Sequence, residues 1–327
     1  MSITIRDVAK AAGLSIGTIS RALKNESGLT EETRKIVLDT AQQMGYDLCR
    51  LRQKKVRRLT FLLHHQHNTV ASSPFYSPVL HGAAEACRNK GIILSFMAVG
   101  PADGMIDQIR LHAPDAILCA GYFEPEMLSA LRATGKPLVL IDMKMHDFTS
   151  VNPDNQMGGY LATRHLLDIG RNRIGFITGS LAHYSIRERA RGFRQALFDA
   201  GVLADPRLEV ALEEGIDNEQ AVWNAMQALL ALPNRPDAVF CYNDSAALVA
   251  MRCCYAAKVK VPHDISIVGF DNIAAAALAQ RPLTTISIDK AALGAIGVEL
   301  LLNGKADEIV ERVVPVRLIV RESTVCK

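Results

Sequence analysis

Between Thr4 and Met44 the apolar positions recur three and four residues apart in three short runs, the pattern of helices that share one small core. In the first run Val8, Ala9 and Ala12 form an apolar face, and Thr4 with Asp7 three residues on makes a capping-box start. Gly13 supplies a permissive turn, Leu14 plugs the gap between helices, and Ser15 is placed to cap a second helix from Ile16 to Lys24. Ile19, Ala22 and Leu23 would face inward there, which leaves Ile16, Gly17, Thr18 and Arg21 outward. Thr30, Glu31 and Glu32 open a third helix that runs to about Met44, with Ile36, Val37, Ala41 and Met44 closing the core. Two short helices across one tight turn describe a helix-turn-helix, which sets the first residues of its second helix against base edges in the major groove. An ordinary αα-hairpin gives the same local pattern.

From Leu59 onward the pattern changes to strand-length apolar runs alternating with amphipathic stretches. Strands are expected at 58–64, 92–98, 115–121 and 138–142, with helices at about 76–90, 103–113 and 124–134. A second series follows, with strands near 173–178, 208–212, 237–242 and 265–270 and helices near 155–170, 186–201, 217–232 and 244–258. Two open parallel α/β lobes in series are implied, with a ligand cleft at the carboxyl ends of their strands. The tail holds PLTTISID (282–289), a helix near 290–303 and VVPVRLIVREST (313–324), which crosses between lobes.

A chain of 327 residues, 49% hydrophobic, has ample length for such a core. The start MSITIRDVAK lacks an apolar signal region and no apolar run nears the ~20 residues of a membrane span, so a cytoplasmic protein without membrane contact is expected. Seven cysteines form no CxxC pair and several lie inside apolar runs, which reads as buried reduced thiols. The net charge of +3 is unevenly spread: residues 1–60 hold twelve Lys and Arg against six Asp and Glu, and the remainder is mildly acidic. A basic head that meets phosphates on a body that does not is the natural reading. Six of the nine residues from Arg50 to Arg58 are basic, either a solvated linker or a hinge on the DNA backbone. The chain carries no GxxxxGK[ST], no GxGxxG after the first strand and no GxSxG, which speaks against a two-lobed sugar- or nucleoside-processing enzyme. His64, His65 and His67 cluster without a carboxylate or cysteine at ligand spacing, so no metal is expected, and no cofactor. Trp223, beside Val222 and Met226, reads as core packing.

The stretch TIRDVAKAAGLSIGTISRALKN (4–25) resembles the head of the LacI/GalR family of bacterial transcription regulators, and the likeness extends over essentially the whole chain. It continues in NPDNQMGGYLATRHLLDIGRNRIGFITG, RERARGFRQAL, CYNDSAALVAM, VPHDISIVGFDNI, PLTTISID and LIVREST. The resemblance implies an all-α helix-turn-helix DNA-binding head (1–45), a hinge (46–58) and a core (59–327) like a periplasmic binding protein, of two doubly wound parallel-sheet lobes. The first lobe would take about 59–150 and 284–310, the second about 151–283 and 311–327. It further implies a homodimer, or a tetramer, on palindromic operator DNA, acting as a repressor whose affinity is set by a small molecule in the cleft. A sugar or sugar derivative is the first expectation. A nucleobase, a nucleoside or a phosphoprotein is the alternative within the family, and a solute-binding protein the alternative outside it.

Position by position, the resemblance makes Ser15 and Thr18 phosphate or base-edge contacts, Ile16 and Gly17 the positions of operator choice, and Arg21 the base reader. Thr4, Asn25, Tyr46 and the hinge cations Arg50, Arg52, Lys54 and Lys55 complete the DNA-binding set. The hinge departs from the family: it lacks the usual proline after the tyrosine and is about four residues shorter, so Leu48 or Leu51 would have to serve as the minor-groove wedge. For the cleft the resemblance points to Arg187 as the arginine that meets sugar hydroxyls, with Asn243, Asp244 and Asp271 at strand ends and Asp142 from the other lobe. Phe75 and Tyr76 offer an aromatic face to a pyranose ring. Each could instead cap a helix or pack the lobe interface.

Overall fold

The computed structural model describes residues 3–23, 27–46, 56–69, 73–101, 103–213, 215–304 and 308–324. The chain divides into two compact units, Met1–Val56 and Arg57–Lys327. In the first, α1 (Ile5–Ala12), α2 (Ile16–Leu23) and α3 (Glu31–Gln43) enclose Val8, Ala9, Ile19, Ala22, Leu23, Val37 and Ala41. Asp7 takes both the Thr4 N–H at 2.8 Å and the Thr4 hydroxyl at 2.7 Å, which fixes where α1 begins. Gly13 turns the chain at φ +66°, Leu14 packs over the core, and Ser15 Oγ accepts the Thr18 N–H at 3.1 Å to start α2. Ile36, expected in this core, is 49% exposed: Val37 occupies the inward position of α3, and its neighbour turns to solvent. The hinge leucines Leu48 and Leu51 lie outside the described residues.

The second unit contains two six-stranded sheets. The first comprises β1 (Arg58–His64), β2 (Ile93–Val99), β3 (Ala116–Ala120), β4 (Leu138–Ile141), β5 (Thr149–Pro153) and β11 (Glu311–Val314), in the order β11-β5-β4-β3-β1-β2. The second comprises β6 (Ile174–Thr178), β7 (Glu209–Ala211), β8 (Ala238–Cys241), β9 (Ser266–Asp271), β10 (Thr284–Ile288) and β12 (Val316–Ile319), in the order β12-β10-β9-β8-β6-β7. The strands run parallel except β12, which is antiparallel to β10. The helices are α4 (Ser73–Asn89), α5 (Met105–His112), α6 (Pro125–Ala133), α7 (Asn155–Asp168), α8 (Tyr184–Asp199), α9 (Asn218–Leu230), α10 (Asp244–Ala256), α11 (Ala274–Leu278) and α12 (Lys290–Asn303).

The crossings between lobes differ from the expected ones. Residues 284–288 belong to the second sheet, 311–314 to the first, and β5 carries the first lobe past residue 150 to Pro153. Pattern identifies a strand but not the sheet whose edge it joins, and TSVNP of β5 is too polar and short to stand out as a strand at all.

In each lobe two helices approach so closely that only glycine fits between them. A Cβ on Gly82 of α4 would sit 2.1 Å from the Ala291 carbonyl oxygen, and one on Gly294 of α12 2.0 Å from that of Val79. In the second lobe a Cβ on Gly159 of α7 would lie 2.2 Å from the Arg189 oxygen, and one on Gly192 of α8 2.0 Å from that of Gln156. The second pair of contacts fixes α8, and with it Arg189, against α7. Beneath them Phe176, Phe193, Phe240 and Phe270 are fully buried, with Phe176 and Phe240 stacked at 4.9 Å.

Candidate functional site

In the head, Ile16 is 47% exposed and a Cβ on Gly17 would meet only Ser15 Oγ, at 3.7 Å, so the start of α2 offers an open face. The hydroxyls of Ser15 and Thr18 lie 2.9 Å apart on the same turn. Arg21 is exposed and folded back, its Nη2 donating to the Ser27 carbonyl at 2.9 Å. Its guanidinium is thus held next to the loop after α2. Tyr46 is half-buried on the three-helix core, and its N–H donates to the Ala41 carbonyl at 2.8 Å.

In the body, groups from both lobes converge. Arg189, 4% exposed, lies with its guanidinium carbon 3.7 Å from the centre of the Phe270 ring. Its Nε donates to Asn155 Oδ1 at 3.0 Å, one Nη to the Tyr242 carbonyl, and Nη2 to Asp271 Oδ1 at 3.4 Å. From the first lobe Tyr76 donates its hydroxyl to Asp142 Oδ2 at 3.2 Å, while Oδ1 of that carboxyl has no hydrogen-bond partner. Burial pushes the Asp142 carboxyl up to about 6, against the pull of Arg189 and with the repulsion of Asp271. Asp271 is likewise pushed up by burial, offset by Arg189 and Lys290. Two carboxylates, one per lobe, therefore flank one guanidinium.

The end of β9 is unusual in its backbone. Asp271 and Asn272 have φ of 106° and 50°, a region that non-glycine residues rarely enter. Lys290, at the start of α12, donates from Nζ to both of their carbonyl oxygens. Asn272 further takes Arg321 Nη2 on Oδ1 at 2.8 Å and donates Nδ2 to Ser287 at 3.1 Å, so the turn that presents Asp271 is held from several sides.

Residues 4–47 match the family described as bacterial regulatory proteins, lacI family, and residues 163–324 match the periplasmic binding protein-like domain. The HTH-type transcriptional repressor PurR of Pasteurella multocida is 32% identical over 338 residues, covering 98% of each chain. That of Photobacterium profundum is 32% identical over 322 residues and covers 94% of each. Among solved structures, a complex of the transcriptional regulator CelR with cellobiose superposes with a TM-score of 0.74 at 27% identity, covering 98% of this chain and 99% of that one. The lac repressor dimer bound to operator and an anti-inducer gives 0.71 at 23%, with 99% of each covered, and shares the fold.

The chain belongs to the LacI family of bacterial regulatory proteins. It is a DNA-binding transcriptional repressor and not an enzyme. The two-lobed architecture is that of LacI-family regulators. Among the described residues no helix is long and apolar enough to cross a membrane, and no three His, Cys, Asp or Glu side chains are grouped to hold a metal.

Against this LacI-family frame the expected site residues separate. Thr4 precedes α1, Ser15 precedes α2, and Ile16, Gly17, Thr18 and Arg21 lie on α2, all exposed or half-buried, whereas Asn25, Arg50, Arg52, Lys54 and Lys55 lie outside the described residues. Tyr76, Asp142 and Asp271 meet at the cleft, and Phe75 backs Tyr76 edge to face at 4.9 Å. Arg187 does not join them: it is exposed, and its Nη1 donates to the Leu181 and Ala182 carbonyls at 3.0 Å each. Two residues along a helix turn by about 200°, so Arg189 holds the buried face instead. Its spacing of three from Ile186 and four from Phe193 is the signal that distinguishes it. Asp244 sits behind the cleft wall, fully buried, taking the Thr285 hydroxyl on one oxygen and the Ile273 N–H on the other at 2.8 Å. Asn243 caps α10 by accepting the Ala246 N–H at 2.8 Å. Trp223 packs on the second-lobe core.

Proposed function

We propose that this LacI-family repressor binds a palindromic operator as a homodimer in the cytoplasm, reading bases with Ile16 and Arg21 of α2, and that a small neutral molecule held by Arg189, Asp271, Asp142 and Tyr76 sets its operator affinity. The observation that carries the effector half is the single guanidinium flanked by one carboxylate from each lobe. A ligand that bridges both lobes stabilises their closed arrangement by its differential affinity, which is the only way it can bias operator binding. Arginine donors and carboxylate acceptors suit adjacent hydroxyls, which supports a sugar as the effector class. With Lys290 beside Asp271, the two carboxylates and the two cations leave no positive excess to hold a phosphate, which favours a neutral ligand over phosphorylated sugars and nucleotides. The CelR structure, with cellobiose bound, supports a sugar at 27% identity. A nucleobase is the second reading, because a guanidinium beside a carboxylate also complements the donors and acceptors of a purine edge, and the curated relatives at 32% identity carry the name PurR.

Gel shift against genomic fragments at fixed salt, with and without effector, tests the DNA half. Thermal-shift screening of neutral mono- and disaccharides beside free nucleobases tests the effector half, since a ligand specific for the folded state raises stability by RT ln(1 + [L]/Kd). Stabilisation by phosphorylated compounds alone would overturn the charge argument.

A further inference from the structure

The histidines at the end of β1 play no part in that reading, yet one of them joins the lobes. His67, in the turn His65–His67 of the first lobe, meets His183, the residue before α8 in the second, edge to face with ring centres 5.2 Å apart. Tyr122 lies 4.9 Å from the His183 ring, and Tyr76 lies 5.3 Å from that of His67. His67 Nε2 accepts the Tyr122 N–H at 3.1 Å, which assigns the ring proton to Nδ1. A second proton would have to go on Nε2 and set donor against donor.

We propose that His67 and His183 form a proton-sensitive latch between the lobes, closed while both imidazoles are neutral and released when they take protons. The effector cleft would then be gated by pH as well as by its ligand, a consequence that rests on the function proposed above. The groups facing the pair are His64 and His65 of the same segment, Tyr76 of α4, Tyr122 after β3, and Arg187 on α8. The neighbouring carboxylates are engaged elsewhere. Glu124 lies 3.2 Å from His64 Nε2, Asp103 lies 4.0 Å from His65 Nδ1, and Asp142 takes the Tyr76 hydroxyl. No described carboxylate is set against either latch ring to stabilise its cation.

Burial, reinforced by His183, His64 and His65, holds His67 down to about 3. Burial with His64 and Arg187 holds His183 down to about 4. With the lobes apart His183 loses its first-lobe neighbours and returns toward an ordinary value of about 6.5, while His67 loses only the repulsion of His183 and keeps the neighbours of its own lobe. A histidine depressed in the closed form favours closure above its open-form value and ceases to do so as pH falls below it. Between pH 7.5 and 5.5 the opening equilibrium should rise about 10-fold through His183, with a smaller further rise through His67.

Small-angle scattering of the full chain, free of DNA and effector, at pH 7.5, 6.5 and 5.5 tests this. The radius of gyration of the wild type should increase toward pH 5.5, and that of His67→Gln/His183→Gln should stay constant. A wild-type radius that does not change, or the same increase in the double variant, overturns the latch. Circular dichroism at pH 7.5 checks that the double variant is folded. If it is not, His183→Gln alone, which removes one ring at a helix start, should remove most of the pH response, and an undiminished response overturns the latch. Neither operator nor effector is present, so failure here is distinct from failure of the proposed effector class.

Discussion

Arg189 lies face-on to Phe270, its guanidinium carbon 3.7 Å from the ring centre, and this contact brings α8 and β9 together at the cleft. The stack desolvates the guanidinium while leaving its edges to Asn155, Tyr242 and Asp271. Removing it strands Asp271 without its main partner. Arg189→Ala should therefore destabilise the second lobe by about 3 kcal/mol, as expected for breaking a buried charge pair, and abolish effector-induced thermal shifts. Arg187→Ala, at an exposed site, should change stability by about 0.5 kcal/mol or less. Urea unfolding of the two variants side by side separates these roles, and equal losses would contradict the assignment.

Gly192 permits the crossing of α7 and α8 that sets Arg189 in place. A methyl there would press into the Gln156 carbonyl oxygen at 2.0 Å, where backbone has to move. Gly192→Ala should cost about 3 kcal/mol through overpacking and weaken effector binding without touching the ligand. The melting temperature and the effector dose-response should both move.

Burial, with repulsion from Asp271, pushes the Asp244 carboxyl up to about 8. The folded state thus holds a proton that the unfolded chain has lost above about pH 4. Stability from this group is present below the unfolded value and is lost as pH rises toward about 8. The depressed histidines act in the opposite sense around pH 6.5, so this contribution is read as the difference between wild type and Asp244→Asn, whose slope between pH 5 and 7 should approach one proton's worth, about 1.4 kcal/mol per pH unit at most. Chemical denaturation of both proteins across that window should show the wild type losing stability relative to Asp244→Asn as pH rises, and parallel curves would contradict the assignment.

Gly17 lies within α2, and a Cβ there has open space. Gly17→Ala should stabilise the head by about 0.5 to 1 kcal/mol, because alanine loses less backbone freedom in a helix. The added methyl also faces outward beside Ile16, so operator preference should shift while non-specific DNA affinity stays the same. Competitive gel shifts over a randomised half-site would reveal the change, and an unaltered preference would remove Gly17 from the reading surface.

Local chemistry made the head legible in the sequence. Caps at Thr4 and Thr30, the turn at Gly13 and the period of Val8, Ile19 and Val37 all act within a few residues of chain, and the strand at 58–64 follows from one continuous apolar run. Family likeness added the DNA-binding role. Tertiary structure decided what depends on distant partners. The exchange of β10 and β11 between lobes is a matter of which sheet edge each strand meets, and the choice of Arg189 over Arg187 depends on which face of α8 the glycine contacts press against α7. Asp244 was removed from the cleft by Thr285 and Ile273, residues more than twenty-five positions away that satisfy its oxygens from behind. The meeting of His67 with His183 has the same origin, since two rings more than a hundred residues apart come together only through the packing of one lobe on the other.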